Sequence, residues 1–242
     1  MILQLPSVGH CASMPLMNRH PNCGLHNWLI YRKLEARLDR HLRRVEGTIY
    51  DLGCGESPYR ARMLERGVRY VGIDWERSLH SPEADLLADL NRPLALPDAS
   101  ADAILCISVL EHLRRPELCL AEAARLLKPG GVLLLQVPWQ WSLHELPHDW
   151  FRYSPVALEG MLSASGFREI DVATLGGFFT MMTLKLNYFS RRFVKGPALL
   201  RFLSLLLLLP FWSLGQLLAP LLDQLDRSQA METSGYFVVA VR

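Results

Sequence analysis

A glycine-rich turn that follows an acidic residue is the feature of this sequence best suited to ligand chemistry. Residues 49–52 have the apolar character of a buried strand and contain Asp51, and Gly53 and Gly55 follow before a helix begins near Pro58. At the carboxyl end of a parallel strand, glycines let the backbone approach a nucleotide-like ligand closely, and the amides of the next helix point at it. The negative charge of Asp51 favours a cationic ligand over a pyrophosphate.

The alternative ligand for this turn is a dinucleotide. Its fingerprint, G-x-G-x-x-G, requires glycine at the sixth position, which is occupied by Pro58. An NAD-dependent reductase is therefore disfavoured.

Two further aspartates are predicted to end the next two strands. Asp74 follows the apolar run 70–73, where a carboxylate can accept both hydroxyls of a ribose. Asp89 closes the segment 84–89, where it is placed to meet an adenine amino group. Together with Asp51, these residues predict three carboxylates around one ligand.

A second group of chemically active residues lies in the segment after a later apolar strand. Residues 144–148 match the zinc-protease expression H-E-x-x-H, but Pro147 breaks the helix that this site requires, so we predict no metal site. We expect His144 or His148 to deprotonate a hydroxyl group, Asp149 to orient His148, and Arg152 to pair with a phosphate or carboxylate of the substrate. The alternative is that the histidines only hydrogen-bond the loop.

Strand-like and helix-like segments alternate from residue 48 onward and would position both groups. The predicted strands are residues 48–52, 70–73, 84–89, 101–109, 132–137, 170–173 and 235–241, and the predicted helices are residues 58–66, 116–127 and 155–166. Ser154 and Pro155 suit the N-cap and first position of the last of these helices. Such alternation is typical of an α/β fold with a doubly wound, mostly parallel, seven-stranded sheet.

The two ends of this pattern differ from its middle. Proline and glycine punctuate residues 1–24, which we predict to be an irregular N-terminal arm that precedes a domain over residues 25–242. Apolar residues recur at helical spacing over residues 28–42, with arginines between them, which predicts a helix. Its basic face is interpreted either as solvated or as a contact with an anionic membrane surface or substrate.

Residues 176–234 depart from the alternation and are predicted to form an apolar, helical insertion before the last strand. Residues 202–222 carry no charge, and Pro210 and Pro220 interrupt them. A single membrane crossing would leave the flanking strands on opposite sides of a bilayer, so we expect a bent hairpin or two short helices in the membrane interface. Residues 198–222 would then give peripheral membrane contact, and the alternative is an apolar lid or dimer face.

Composition limits the classes of protein to which the chain can belong. The 242 residues include 26 Lys and Arg against 24 Asp and Glu, a balance that argues against a nucleic-acid partner. The five cysteines are odd in number and form no C-x-x-C pair, which favours a reducing compartment. Residues 1–5 lack a basic residue and no apolar run follows them, so we expect a cytoplasmic protein, with the inner face of the membrane as its site of attachment.

Several ordered motifs resemble those of a known family. They are DLGCG at residues 51–55, LPDASAD at residues 96–102, VLEH at residues 109–112 and LKPGG at residues 127–131. The set is similar to the class I S-adenosylmethionine-dependent methyltransferases, in particular the type 11-like subgroup, over about residues 45–175 and the final strand. Two positions depart from the family pattern, since Ser57 replaces its third glycine and Ala101 replaces an aromatic residue.

The resemblance implies S-adenosylmethionine as the cofactor and a role for each matched residue. Asp51, Gly53 and Gly55 would hold the methionine portion, Asp74 the ribose, Asp89 with Leu90 the adenine, and Ser108 with Val109 the space beneath the sulfonium. Trp75 would stack on the adenosine or cap the surface. His112 would support the cofactor side or, with Arg152, contact the substrate.

The expected activity is transfer of a methyl group to a small-molecule acceptor. The acceptor atom is most simply an oxygen of a lipid-linked, glycan-type or quinone-type molecule at the membrane surface. The rival function is a non-catalytic scaffold or membrane-associated interaction protein that keeps the fold. A scaffold has no need of Asp51, Asp74 and Asp89, which disfavours it.

Overall fold

The computed structural model describes residues 20–76, 83–226 and 231–242. In chain order the elements are α1 (Trp28–Leu42), β1 (Thr48–Leu52), α2 (Arg60–Leu64), β2 (Arg69–Asp74), β3 (Leu86–Leu87), β4 (Ala101–Ile107), a 3-10 helix (Leu110–His112), α3 (Pro116–Leu126), β5 (Leu127–Pro138), α4 (Pro155–Ala164), β6 (Arg168–Thr174), α5 (Phe178–Arg191), α6 (Ala198–Asp223) and β7 (Gly235–Val241). Most of the predicted N-terminal arm, residues 1–19, lies outside the described residues.

The seven strands form one sheet in the order β3-β2-β1-β4-β5-β7-β6. Neighbouring strands from β3 to β5 are parallel, whereas β7 runs antiparallel to both β5 and β6. The predicted doubly wound, mostly parallel sheet is confirmed. Because the chain order reverses between β1 and β4, a crevice opens beyond the carboxyl ends of these two strands, where α/β proteins bind ligands.

Helices pack on both faces of the sheet because the central strands are apolar on both sides. On one face, Leu120 of α3 and Leu158 of α4 are fully buried in a core with strand residues such as Leu135. On the other face, Leu38 of α1 and Met63 of α2 are fully buried in a second core. The predicted helix over residues 28–42 therefore belongs to the body of the domain.

The local signals read from the sequence set several helix ends. Ser154 caps α4, since its side chain accepts a hydrogen bond from the backbone N–H of Ala157 at 3.2 Å. The helix α3 ends at Leu126, and β5 begins at once. Pairing with β4 passes from Leu127 directly to Val132, so the predicted turn at residues 128–131 lies within β5 as an irregularity that does not pair with β4.

The prediction of a bent hairpin or two short helices over residues 202–222 is wrong. The segment lies within one 26-residue helix, α6, which continues through Pro210 and Pro220. Each proline removes one backbone donor and costs about 3 kcal/mol in a helix interior, but leucines of high helix propensity surround both and α6 packs against α5. Within the described part of the chain, α6 is the single helix whose length and composition would allow it to cross a membrane.

A polar and aromatic stripe attaches α6 to the domain. The Asp223 carboxylate accepts hydrogen bonds from the backbone N–H groups of Gly177 and Phe179, which open α5. The Gln216 side chain accepts from the N–H of Leu29 and donates to the carbonyl of Leu25.

The rest of α6 carries what we call the apolar face. Its exposed members are Leu199, Leu200, Phe202, Leu203, Leu206, Leu207, Phe211, Leu214, Leu217, Leu218, Leu221 and Leu222. Monomeric soluble proteins seldom expose so large a contiguous apolar patch, so this surface calls for a covering medium or partner.

Candidate functional site

The glycine-rich turn after β1 is held tightly against β2 and the segment after β4. Gly53 has φ +74°, and the N–H groups of Gly53 and Cys54 both donate to the carbonyl of Ile73. A Cβ atom on Gly53 would lie 2.3 Å from Cγ2 of Val109. Glycine is therefore required at position 53 by both backbone conformation and space.

Ser57 has a structural explanation for replacing the third glycine. Its φ of +48° lies in the left-handed region that glycine adopts easily. The Ser57 hydroxyl donates to the carbonyl of Glu83 at 3.0 Å and thereby ties the turn to the segment before β3. The substitution thus keeps the turn conformation and adds a tether to it.

A cavity of about 960 Å³ opens at the switch point between β1 and β4. It falls within the usual size of ligand pockets, ~300–1,000 Å³. All nine predicted cofactor-binding residues line it: Asp51, Gly53, Gly55, Asp74, Trp75, Asp89, Leu90, Ser108 and Val109. The structure therefore brings together residues that are spread over almost sixty positions of the sequence.

The three aspartates that line the cavity differ in burial, hydrogen bonding and pKa. Asp51 is almost fully buried, accepts a hydrogen bond from the Tyr70 hydroxyl, and has its pKa raised to about 6, chiefly by burial. The oxygens of Asp74 accept the N–H groups of Gly55 and Trp75, each at 2.6 Å, and keep lone pairs for further donors. Desolvation raises the pKa of Asp89, but hydrogen bonds outweigh it and leave a net lowered pKa.

Ser108 closes the opposite wall of the cavity. Its φ of +54° turns the chain sharply at the end of β4. The Ser108 hydroxyl donates to Oε1 of Gln136 on β5 at 2.6 Å, and its N–H donates to the carbonyl of the same residue. This side chain is therefore held in the wall.

A cluster of one carboxylate and two imidazoles lies beside the cofactor residues. Nε2 of His112 lies 3.7 Å from Oε1 of Glu111, and Nε2 of His144 lies 3.9 Å from the same oxygen. His112 and His144 line the cavity, whereas Glu111 is fully buried behind them. Burial raises the pKa of Glu111 to about 8 and lowers the pKa of His112.

Asp149 and Arg152 support this cluster and do not line the cavity. The Asp149 carboxylate accepts the backbone N–H of His144 at 2.9 Å and lies 3.4 Å from Nδ1 of that residue. The prediction that Asp149 orients His148 is wrong, because it orients His144. Arg152 donates to Asp149 at 2.8 Å, and this pair lowers the pKa of Asp149 to about 2. The guanidinium thus bonds Asp149, and the substrate contact of Arg152 stays a prediction.

Residues 144–148 form no helix, as the argument from Pro147 requires. The ring of His148 packs edge-to-face on Trp75 with the ring centroids 5.2 Å apart, whereas Nε2 of His144 lies 3.9 Å from Oε1 of Glu111. The zinc-protease arrangement is therefore absent from this described segment.

Sequence reasoning missed the roof of the cavity. Residues 20–24, with Tyr31 of α1 and with Tyr188 and Arg191 of α5, line it. Tyr188 is held by Asn27, whose side-chain amide donates to the Tyr188 hydroxyl at 2.7 Å. The helical spacing in residues 28–42 predicts α1, but no sequence signal brings α1 and α5 together.

Comparison with known proteins gives consistent matches. The model of a family described as "Methyltransferase domain" matches residues 50–135. A probable S-adenosylmethionine-dependent methyltransferase of Mycolicibacterium smegmatis is 30% identical over 161 residues, 61% of this chain and 62% of that protein. A ubiquinone biosynthesis O-methyltransferase of Chromobacterium violaceum is 30% identical over 169 residues, 58% of this chain and 71% of that protein.

Solved structures share the fold. A SAM-dependent methyltransferase from Archaeoglobus fulgidus aligns with a TM-score of 0.57 at 17% identity, over 87% of this chain and 94% of that chain. Phosphoethanolamine N-methyltransferase 2 of Haemonchus contortus, in complex with S-adenosyl-L-methionine, aligns with a TM-score of 0.53 at 15% identity, over 90% of this chain and 56% of that chain.

Proposed function

The chain belongs to the S-adenosylmethionine-dependent methyltransferases, and from this premise we propose that it methylates an oxygen of a lipid-linked small molecule at a membrane surface. The observation that carries the proposal is the double role of α5. Tyr188 and Arg191 line the cavity, while Leu186 and Phe189 of the same helix are exposed, and α5 packs against α6. The proposed substrate therefore places its headgroup in the cavity and its chain along the apolar face.

The residues around the cavity fit the cofactor. Asp51 and Asp74 offer carboxylates to its cationic and hydroxyl groups, and Gly55 would have nothing within 4 Å of an added Cβ, which leaves open space there. When bound, S-adenosylmethionine supplies an electrophilic methyl carbon, to which the acceptor oxygen bonds while the carbon–sulfur bond breaks and sulfur keeps the electron pair. Positioning supplies most of the rate in such a transfer.

An oxygen acceptor must also lose its proton. Of the two predicted bases that line the cavity, His144 is the one whose Nδ1 lies 3.4 Å from a carboxylate, that of Asp149. A carboxylate that accepts the Nδ1 proton raises the basicity of the other ring nitrogen. We assign proton removal to this side of the cavity. Ubiquinone biosynthesis O-methyltransferases among the relatives support an oxygen acceptor.

The apolar face supports a peripheral position on the inner side of a membrane. Leu207 is 78% exposed and Phe211 is 58% exposed, and basic residues flank them at Arg192, Lys195 and Arg201. Helices of this kind lie in the interface when basic residues can reach anionic headgroups. A full crossing by α6 would carry the hydrogen-bonded groups of Gln216 and Asp223 into hydrocarbon, which is costly. A lid or dimer face is the alternative covering.

Transfer of labelled methyl groups tests the proposed acceptor class. Purified protein is incubated with labelled S-adenosylmethionine and either a membrane lipid extract or the water-soluble small-molecule fraction of the same cells. We expect label in the lipid extract, and H144N should reduce it at least about 100-fold, the lower range for loss of a general base. Label confined to the water-soluble fraction would contradict the lipid-linked acceptor.

Flotation with vesicles tests the apolar face. The double variant L207D/F211D should lose binding to phosphatidylglycerol vesicles by more than about tenfold, since each apolar side chain contributes ~1.5–3 kcal/mol when buried. The matched control is V156D on α4, where Val156 is 77% exposed but lies away from α5 and α6 in the chain. Equal vesicle binding by L207D/F211D and V156D would favour a lid or a dimer face over membrane contact, and size-exclusion chromatography would then distinguish a lid from a dimer face.

The rival function, a non-catalytic scaffold, would be favoured if the protein bound S-adenosylhomocysteine but transferred no methyl group to any fraction.

A further inference from the structure

The cluster of Glu111, His112 and His144 has an unusual hydrogen-bond balance. Neither carboxylate oxygen of Glu111 has a hydrogen-bond partner among the described residues, although the residue is fully buried. Nε2 of His112 is buried and likewise has no hydrogen-bond partner within residues 20–76, 83–226 and 231–242. A buried polar atom without a partner costs about 1–3 kcal/mol, and a charged one costs more. Three such atoms in one place indicate that the cluster is completed by something the chain does not supply.

Both imidazoles are oriented by their other nitrogen. Nδ1 of His112 lies 2.8 Å from the carbonyl oxygen of His148, a contact in which the ring nitrogen must donate. Nδ1 of His144 lies between the carbonyl of Ser142 at 3.2 Å and the carboxylate of Asp149 at 3.4 Å. Protons held at Nδ1 leave lone pairs on both Nε2 atoms, which is the arrangement by which proteins prepare histidine to ligate a metal.

The loop that carries His144 is hydrogen-bonded to the backbone of Glu111. The backbone N–H groups of Trp150 and Phe151 donate to the carbonyl of Glu111 at 2.9 and 3.2 Å. The carboxylate and the loop histidine are thus held together by main-chain bonds. The possible ligand atoms of Glu111, His112 and His144 all lie within 4.8 Å of one another.

We propose that Glu111, His112 and His144 bind a divalent cation of the zinc class within the cavity. Two imidazole nitrogens and one carboxylate oxygen match catalytic zinc sites, which keep the fourth position open. Bonds of ~2.0–2.1 Å in a tetrahedron place ligand atoms about 3.4 Å apart. The two Glu111 distances of 3.7 and 3.9 Å must therefore shorten by less than about 0.6 Å, and the widest pair, within 4.8 Å, by up to about 1.4 Å. The site is distinct from the H-E-x-x-H expression, since His148 takes no part in it.

Because His112 and His144 line the cavity, the open position would be available to the acceptor hydroxyl. This role rests on the proposed O-methylation, whereas binding of the cation does not. A zinc-class cation lowers the pKa of a bound hydroxyl strongly, so the O–H bond breaks before the oxygen attacks. The proton of the hydroxyl would pass to water in the cavity, and His144 would serve as a ligand and not as the base.

Cobalt and zinc titrations of the full-length chain test the site. Chelator-treated protein is titrated with Co²⁺, followed by visible absorption, and then with competing Zn²⁺ followed by calorimetry. We expect one ion per chain with a tetrahedral cobalt spectrum. E111Q and H144N should weaken zinc binding at least about 100-fold, since loss of an outer partner alone costs ~10–100-fold. H148N is the matched control and should bind as the parent does.

The controls separate the site from the fold and from the proposed reaction. S-adenosylhomocysteine affinity and Tm are measured for every variant, and both should stay close to those of the parent in H144N, which replaces a partly exposed side chain. Absence of stoichiometric binding by the parent, or binding by H144N and E111Q equal to that of the parent, would overturn the site. Loss of zinc binding in H148N would instead show that His148 is a ligand, as the H-E-x-x-H expression requires. Zinc binding together with a transfer rate that chelation leaves unchanged would overturn only the catalytic role.

Discussion

Replacement of Gly53 by alanine gives the sharpest test of how the glycine-rich turn shapes the cofactor site. The added Cβ would lie 2.3 Å from Cγ2 and 2.9 Å from Cγ1 of Val109. A left-handed conformation costs a residue with a Cβ about 1–2 kcal/mol, and overpacking costs about 1–3 kcal/mol. G53A should therefore lower the free energy of unfolding by about 2–5 kcal/mol, which is a fall in Tm of roughly 4–20 °C for a domain of this size.

The two contributions can be separated because the neighbouring glycine offers a matched control. Gly55 also has positive φ, +52°, but a Cβ there meets nothing within 4 Å. G55A should therefore show only the conformational cost, about 1–2 kcal/mol. In G53A/V109A both Cγ atoms are removed, and the remaining Cβ lies 3.2 Å away, so most of the overpacking cost should be recovered.

Urea unfolding with and without S-adenosylhomocysteine, together with calorimetric titration, measures both effects. We expect G53A to bind the product at least about tenfold more weakly than G55A does, since relief of the clash must displace either the turn or Val109, and both line the cavity. A G53A protein as stable as G55A, or a V109A background that restores nothing, would refute the steric argument.

Three further predictions concern the carboxylates and their partners. Affinity for S-adenosylhomocysteine should fall about tenfold between pH 7 and pH 5 in calorimetric titrations, because burial raises the pKa of Asp51 to about 6 and only the ionised form attracts the ammonium group; D51N should give a flat profile. R152A should lower the free energy of unfolding by about 1–3 kcal/mol in urea titrations, since it leaves the Asp149 carboxylate without its main donor. The same variant should reduce the methyl-transfer rate without weakening product binding, because Asp149 holds His144 and does not line the cavity; equal losses in both would contradict this.

The cofactor half of the site could be predicted because its determinants are local. The chain contains, within a short stretch, an acidic residue, a glycine turn and the ends of adjacent parallel strands. A doubly wound sheet must bring those strand ends together. Asp51, Asp74 and Asp89 accordingly line one cavity. Ser57 shows the limit of this reasoning, since its tether to the carbonyl of Glu83 depends on a contact 26 residues away.

The acceptor half could be predicted only in part because its contacts are between distant segments. Adjacency in sequence suggested that Asp149 serves His148, yet the loop turns so that Asp149 meets His144. The Glu111 carboxylate has no hydrogen-bond donor among the described residues because of how distant segments pack, and this packing cannot be predicted from the sequence. A break in residues 202–222 was predicted from the local cost of two prolines. The helix α6 is continuous because its packing against α5 stabilises it.

The position of β7 has a consequence for how the protein is made. This strand lies between β5 and β6, so β6 has no sheet neighbour until residues 235–241 leave the ribosome. During synthesis of the long helical excursion, the apolar edge of β5 is open to other chains, and such edges promote aggregation. Yield should therefore respond strongly to chaperone supply and to any peptide fused beyond β7, which would delay the closing of the sheet.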